Sequence, residues 1–346
     1  MSVTSKIRIL AGVAAICAAT TLVFGPQPAV SQALKKIKIT IPVPAFGFYP
    51  LYVGVDQGFF AQEGYDVEII STAGDGPDVD ALIAGSVDFS LSTPNRLLTA
   101  HEQGKPLLAV MTTMNRMGIE CIMNKAFGDR AGLKPETPLD DKLKAMKGHA
   151  IAGTRPGAFT YLAALRYAKR ANLEPQKDVK VIGVGAPASM LAALENEQVV
   201  LACTASPTPE MAEARGKSIQ ITSNLAGKDE EYNDFIYQLL YARPDYAQKN
   251  PEVVKGIVRA ILKSIAYIQD TPGDVQLPKL RERFSGIPDD VMIKMLDNNR
   301  ASYKRDGITT KTSIDKAAAF LKDSGILKSD VPDWTAIATN QYLPQK

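Results

Sequence analysis

Apolar positions along this chain recur with two alternating periods. Residues 36–41 place apolar side chains at every second position and stop at Pro42, the pattern of a strand with one covered face. Pro50 suits the first turn of a helix that continues to about Glu63, where Gly64 predicts the stop. Residues 67–70 predict the next strand and complete a β-α-β unit. A turn from Gly74 to Pro77 opens a helix over 79–84, and 87–91, 107–112 and 118–123 predict three more strands.

A polar, lysine-rich stretch over 125–147 separates this run from a second one. There the pattern predicts a strand at 150–152, a turn at 153–157, a helix at 159–171, a strand at 180–184, a helix at 187–194 and a strand at 199–203. An apolar strand returns at 237–241. From Pro244 onward the spacing is helical, over 253–268, 278–284, 289–303 and 314–321. The fold class is therefore α/β with two lobes and a helical C-terminal segment. That segment has no strands of its own, so its apolar faces are expected to pack on an earlier lobe, most simply the first.

Two helix-strand units repeat one another. Residues 81–94 run from a helix end through a short apolar strand to a hydroxyl cluster closed by proline, and 193–207 repeat that order with one extra residue. Open α/β sheets bind ligands beyond the carboxyl ends of their strands, so two such ends predict two lobes offering hydroxyls to a shared cleft. The other reading is that helix-strand-turn units are simply common in α/β proteins.

The N-terminus bears on the compartment. Lys6 and Arg8 precede an apolar run over 9–24, and Ser31-Gln32-Ala33 supplies the small residues of a cleavage site. The run is shorter than the ~20 residues of a spanning helix. Residues 1–33 are thus expected to be a signal peptide and the mature chain to be soluble and periplasmic, with a retained anchor as the alternative. Losing Lys6 and Arg8 takes the formal net charge from +3 toward neutrality, which gives no reason to expect nucleic acid or an acidic membrane as partner. Cys121 and Cys203 remain, each on an apolar strand. An oxidising compartment permits a disulfide, but the domain reading puts them in different lobes, so two buried free thiols are expected.

Pro50-Leu51-Tyr52, with Gly58-Phe59-Phe60 and Gly64-Tyr65-Asp66-Val67-Glu68, resembles the first β-α-β of periplasmic substrate-binding proteins of ABC importers, in the nitrate, sulfonate and taurine branch that includes thiamine-precursor binders. Residues 82–89, Gly153-Thr154-Arg155-Pro156-Gly157, Met190-Leu191-Ala192-Ala193-Leu194 and Arg243-Pro244-Asp245-Tyr246 are similar to its later landmarks, in order over nearly the whole mature chain. The resemblance implies the type II periplasmic-binding-protein fold, two α/β lobes joined by two crossover strands and closing on one small molecule. Lobe one is then expected over 34–123 and 241–346 and lobe two over 124–240, with crossovers near 121–125 and 239–243. It further implies a monomer without a cofactor that delivers its ligand to an ABC permease in the inner membrane. Where relatives carry a Ser-Glu-Pro-like turn, this chain has Ser206-Pro207-Thr208-Pro209-Glu210, a departure that leaves the role of this loop in the pocket open.

Helix N-termini carry unpaired N–H groups and a partial positive charge, so two or three aimed into one cleft hold an anion without a metal. Residues 153–159 and 185–189 are two such starts. The candidate ligand-binding residues there are Thr154, Arg155, Gly157, Ala158, Phe159, Thr160, Gly185 and Ser189, with helix capping alone as the competing role. Arg155 either pairs bidentately with a carboxylate or sulfonate or points to solvent. Phe46, Phe48 and Tyr49 are candidates for aromatic walls, against a place in the core. Thr93 and Asn95 at the first repeated strand, and Thr204 and Ser206 at the second, complete the set; Arg96 is either a cleft or a solvated residue.

His101 and His149, the two histidines, fall on different lobes, and neither a Gly-x-Ser-x-Gly elbow nor a Walker sequence occurs. Gly183-Val184-Gly185-Ala186-Pro187-Ala188 fits a dinucleotide fingerprint, but 201–204 lack the acid that should follow. Binding is therefore expected rather than catalysis. The expected ligand is a small organic anion, a sulfonate or carboxylate with an apolar or aromatic part. A pyrimidine ligand, a periplasmic enzyme and a sensor module on the same fold are the alternatives.

Overall fold

Residues 33–72, 76–331 and 333–345 are described in a computed structural model of the chain. The expected leader, up to residue 32, and Gly74 and Asp75 of the turn lie outside them. The first lobe opens with β1 (Lys35–Ile41), α1 (Tyr49–Asp56), α2 (Phe59–Gln62), β2 (Tyr65–Ser71), α3 (Pro77–Ile83), β3 (Phe89–Ser92), α4 (Pro94–Glu102) and β4 (Leu108–Arg116). The second holds β5 (Glu120–Asn124), α5 (Lys125–Arg130), α6 (Leu139–Lys144), β6 (Ala150–Gly153), α7 (Phe159–Arg170), β7 (Lys180–Gly183), α8 (Pro187–Glu195), β8 (Leu201–Thr204), α9 (Thr208–Ala214) and β9 (Ser218–Gln220). The chain returns with β10 (Asn233–Ala242) and ends in α10 (Pro244–Lys249), α11 (Pro251–Asp270), α12 (Gly273–Arg283), α13 (Asp289–Arg300), α14 (Lys311–Asp323) and α15 (Trp334–Ile337).

Each lobe is built on one sheet, of order β2-β1-β3-β10-β4 in the first and β7-β6-β8-β5-β9 in the second. In the first, β1 pairs parallel with β2 and β3, and β10 runs antiparallel to β3 and β4. The second repeats this, with β6 parallel to β7 and β8, and β5 antiparallel to β8 and β9. In both sheets the antiparallel strand is the one that arrives from the other lobe. This is the two-lobed type II periplasmic-binding-protein fold expected from the sequence. The repeated segments hold equivalent places in it, since β3 and β8 each lie third in their sheet, beside the arriving strand.

The crossings fall earlier than expected. β5 already belongs to the second sheet, so the first segment of lobe one ends before Glu120 rather than at 123; all of β10 belongs to the first sheet, so the return precedes Asn233 rather than following 240. A strand covered on both faces is a largely apolar run whose pattern carries no mark of which sheet it joins. Cys121 and Cys203 therefore share a sheet, directly opposed on β5 and β8, and form a disulfide instead of two free thiols. The single helix expected over 50–63 is two, because Gly58 takes a left-handed φ of 67° between α1 and α2.

The C-terminal helices cover the first lobe, as expected. The buried stripe of α11, including Val254, Ile257, Ile261 and Ile265, packs on α1 and α2. Glu63 accepts from Arg259 Nε and Nη2 at 2.9 and 2.7 Å and from Lys263 at 3.0 Å. The tail also reaches the second lobe: α13 packs on α9, and Phe320 of α14 stacks on Phe159 at the start of α7 with ring centroids 5.2 Å apart.

Glu120 ties the two crossings together. Its buried carboxyl accepts from Asn224 N at 3.1 Å, Leu225 N at 3.0 Å and Ser223 Oγ at 3.1 Å, while Asn224 Nδ2 donates to Ile119 O at 2.7 Å. Burial pushes this carboxyl up to about 7, and the three donors only partly oppose it.

Two stability predictions follow from these features. The disulfide joins residues 82 positions apart, and loop-entropy scaling makes such a bridge worth about 4 kcal/mol. Urea unfolding of the C121A/C203A double variant should show a loss of that order, and a loss under about 1 kcal/mol contradicts it. The second concerns pH. A carboxyl whose folded pKa is raised binds more protons folded than unfolded, so its stabilising contribution is complete below its ordinary value of 4.5 and is lost as pH rises through about 7. Stability should fall by on the order of 1–3 kcal/mol across that window. Glu120→Gln should flatten this slope, and an unchanged slope in the variant contradicts the assignment.

Candidate functional site

The ends of β1, β3, β6 and β8 meet the middle of β10 around a cavity of about 600 Å3 that both lobes wall. After β1 the chain runs through Pro42, Val43, Pro44 and Ala45 along the wall into a single 3-10 turn, Phe46–Phe48. The turn separates the three aromatics. Phe48 faces the cavity, whereas Phe46 and Tyr49, three residues apart, point together into the core. Their rings stack at 4.9 Å, and Phe284 lies 5.4 and 6.3 Å from them. Tyr303 Oη donates to Phe46 O at 2.8 Å, and burial holds the Tyr49 hydroxyl well above its usual pKa. Phe46 and Tyr49 take the competing place in the core rather than in the cleft wall, because the chain turns helically here and directs them away from Phe48.

The remaining aromatic walls are Phe159 and Tyr237, edge to face at 5.7 Å. Tyr237 and its neighbour Gln238 lie on β10. Each sits where a glycine leaves room: a Cβ on Gly118 would meet the Tyr237 ring, and one on Gly47 would come within 2.6 Å of Gln238 Nε2.

In the second lobe, the missing Cβ of Gly153 lets the backbone of Thr160 and Tyr161 fold closely over the end of β6. Thr160 Oγ1 accepts from Thr154 N at 2.9 Å, and the two hydroxyls lie 2.7 Å apart. Helix α7 starts on the cavity wall at Ala158 and Phe159 without a side-chain cap, leaving its first N–H groups and partial positive charge there. Arg155 is on the wall but largely exposed. Gly185 is on the wall too, yet its N–H is committed to Thr154 O at 2.6 Å. Gly157 and Ser189 are exposed and do not line the cavity, and Asn95 lies behind Thr93, which donates to Asn95 Oδ1 at 2.6 Å.

After β8 the wall continues through Thr204, Ala205, Ser206 and Pro207. Ser206 Oγ donates to Glu210 Oε1 at 2.8 Å and accepts from Asn299 Nδ2 at 2.9 Å; Asn298 Nδ2 reaches the same Glu210 oxygen at 3.0 Å. The departing loop is thus part of the cavity and is stitched to α13. The structure therefore gathers Phe48, Thr93, Thr154, Arg155, Ala158, Phe159, Thr160, Gly185, Thr204 and Ser206, and adds Tyr237, Gln238, Met114, Ile119 and Asn299. A lone polar residue inside the apolar run of β10 is the signal that marks Gln238. Asn299 has none, since it comes from a helix remote in sequence.

The sequence matches the family described as NMT1/THI5 like over residues 45–275. The riboflavin-binding protein RibY of Chloroflexus aurantiacus is 25% identical over 92% of this chain and 89% of its own length. The bicarbonate transport ATP-binding protein CmpC of Synechocystis is 25% identical over 72% of this chain, which spans only 38% of that protein. Among solved structures, a Bordetella bronchiseptica protein superposes with a TM-score of 0.72 at 24% identity, over 90% of this chain and 96% of that one. The aliphatic sulphonate binding protein SsuA of Escherichia coli does so at 0.70 and 16%, over 89% and 99%. The desulfurization enzyme DSZB shares the fold as well, at 0.64 and 12% identity, over 89% and 97%. The sequence match over 45–275 takes in most of both sheets and of the cavity wall, and this chain belongs to the NMT1/THI5-like family.

Proposed function

We propose that this chain is the extracytoplasmic solute-binding component of an ABC importer and that it captures a small organic anion with an apolar or aromatic part between its lobes. The observation that carries this reading is the cavity. Its 600 Å3 lie within the range of small-molecule sites and far exceed the size of an inorganic oxyanion. Phe48, Phe159, Tyr237, Met114 and Ile119 receive the apolar body, while Thr154, Thr160, the start of α7 and Arg155 receive the acid group. The leader expected over 1–33 supports export to the periplasm, and an inner-membrane permease is the partner this role needs. A neutral heteroaromatic solute is the second reading, favoured by the likeness to RibY along nearly the whole chain.

A thermal-shift panel of aromatic and aliphatic sulfonates and carboxylates, inorganic oxyanions, pyrimidines and flavins tests the proposal. One organic acid should stabilise the protein by about 2.7 kcal/mol at a hundredfold excess over its Kd and be recovered unchanged. Stabilisation by nitrate or bicarbonate alone, or conversion of the acid to product, contradicts it. With the acid held by several N–H groups and hydroxyls, Arg155→Ala should weaken binding by no more than about tenfold, ~1.4 kcal/mol. A loss of a hundredfold or more in calorimetry would make Arg155 the principal anion partner instead.

A further inference from the structure

We propose that Ser206 presents only a hydrogen-bond acceptor to the cavity, and that the solute therefore carries an N–H or O–H donor in addition to its acid group. This rests on the reading of the cavity as the solute site. A carboxylate only accepts, so the hydrogen in the Ser206–Glu210 bond of 2.8 Å is the serine's. Asn299 Nδ2 also donates to Met295 O at 2.8 Å, and because a carbonyl only accepts, this end of the amide is the nitrogen. Its second contact, at 2.9 Å, thus takes one lone pair of Ser206 Oγ. A hydroxyl has one hydrogen and two lone pairs, so what remains to Ser206 is one lone pair.

The surroundings reinforce this polarity. Glu210 is 1% exposed, and its Oε1 accepts from Asn298 as well as from Ser206, which keeps the serine hydrogen turned away from the cavity. Thr154 and Thr160 behave oppositely. They own two hydroxyl hydrogens and share one between them, so one is left to donate, next to the uncapped start of α7. An acid oxygen is thereby drawn to Thr154 and Thr160 and repelled at Ser206, where an amino, ring N–H or hydroxyl group fits.

Calorimetry with benzoate and benzenesulfonate, each against its amino- and hydroxy-substituted forms at every ring position, tests the proposal on the intact mature protein. At least one donor-bearing acid should bind about tenfold or more tighter than its parent, since a buried acceptor left unpaired penalises the parent. Ser206→Ala should abolish that ratio. Equal binding of donor-bearing and parent acids to the unaltered protein, or a ratio that survives Ser206→Ala, overturns the proposal and leaves the organic-acid reading standing. If no acid binds while a neutral pyrimidine or flavin does, the organic-acid reading fails and the proposal fails with it.

Discussion

Each lobe completes its sheet with a strand delivered by the other, and this exchange is the constraint on which the rest of the structure depends. β5 enters the second sheet antiparallel between β8 and β9, and β10 enters the first between β3 and β4. The lobes are therefore joined by two crossings; Gly118 and Ile119 of the first line the cavity, as do Tyr237 and Gln238 of β10, the strand that the second delivers. The Glu120 carboxyl binds one crossing to the other, and the Cys121–Cys203 disulfide anchors β5 to its neighbour a residue further on.

The cavity inherits its chemistry from this arrangement. Strand ends of the first lobe bring backbone, prolines, Phe48 and Thr93, those of the second bring further hydroxyls and a helix start, and β10 adds an aromatic ring and an amide. Packing of α13 on α9 does more than cover the lobe. It carries Asn298 and Asn299 to Glu210 and Ser206, so a residue of the C-terminal tail occupies one of the two lone pairs of a cavity hydroxyl. Hydrogen-bond direction, more than the number of polar groups, then distinguishes one part of the wall from another.

Much of the fold was legible in the sequence because its strands are short and punctuated. The repeat at 81–94 and 193–207 could be read directly, with prolines marking where each strand stops, and it located the two equivalent corners of the cleft. The sheet to which 118–123 belongs was not legible, since a doubly covered strand is largely apolar whichever neighbours it has. The misplacement of Cys121 followed from that alone. At the site, Thr154, Thr160 and Ser206 were legible as hydroxyls after strand ends, while the separation of Phe48 from Phe46 and Tyr49 depends on one 3-10 turn that the pattern does not announce. Gln238 and Asn299 reach the wall through tertiary packing, which local spacing cannot encode.

Native mass spectrometry of the protein purified from its own cells tests the central claim most directly. The account predicts a mature chain carrying one organic acid with an apolar or aromatic body, of a mass well above that of any inorganic oxyanion. A retained nitrate, bicarbonate or uncharged heterocycle would contradict it.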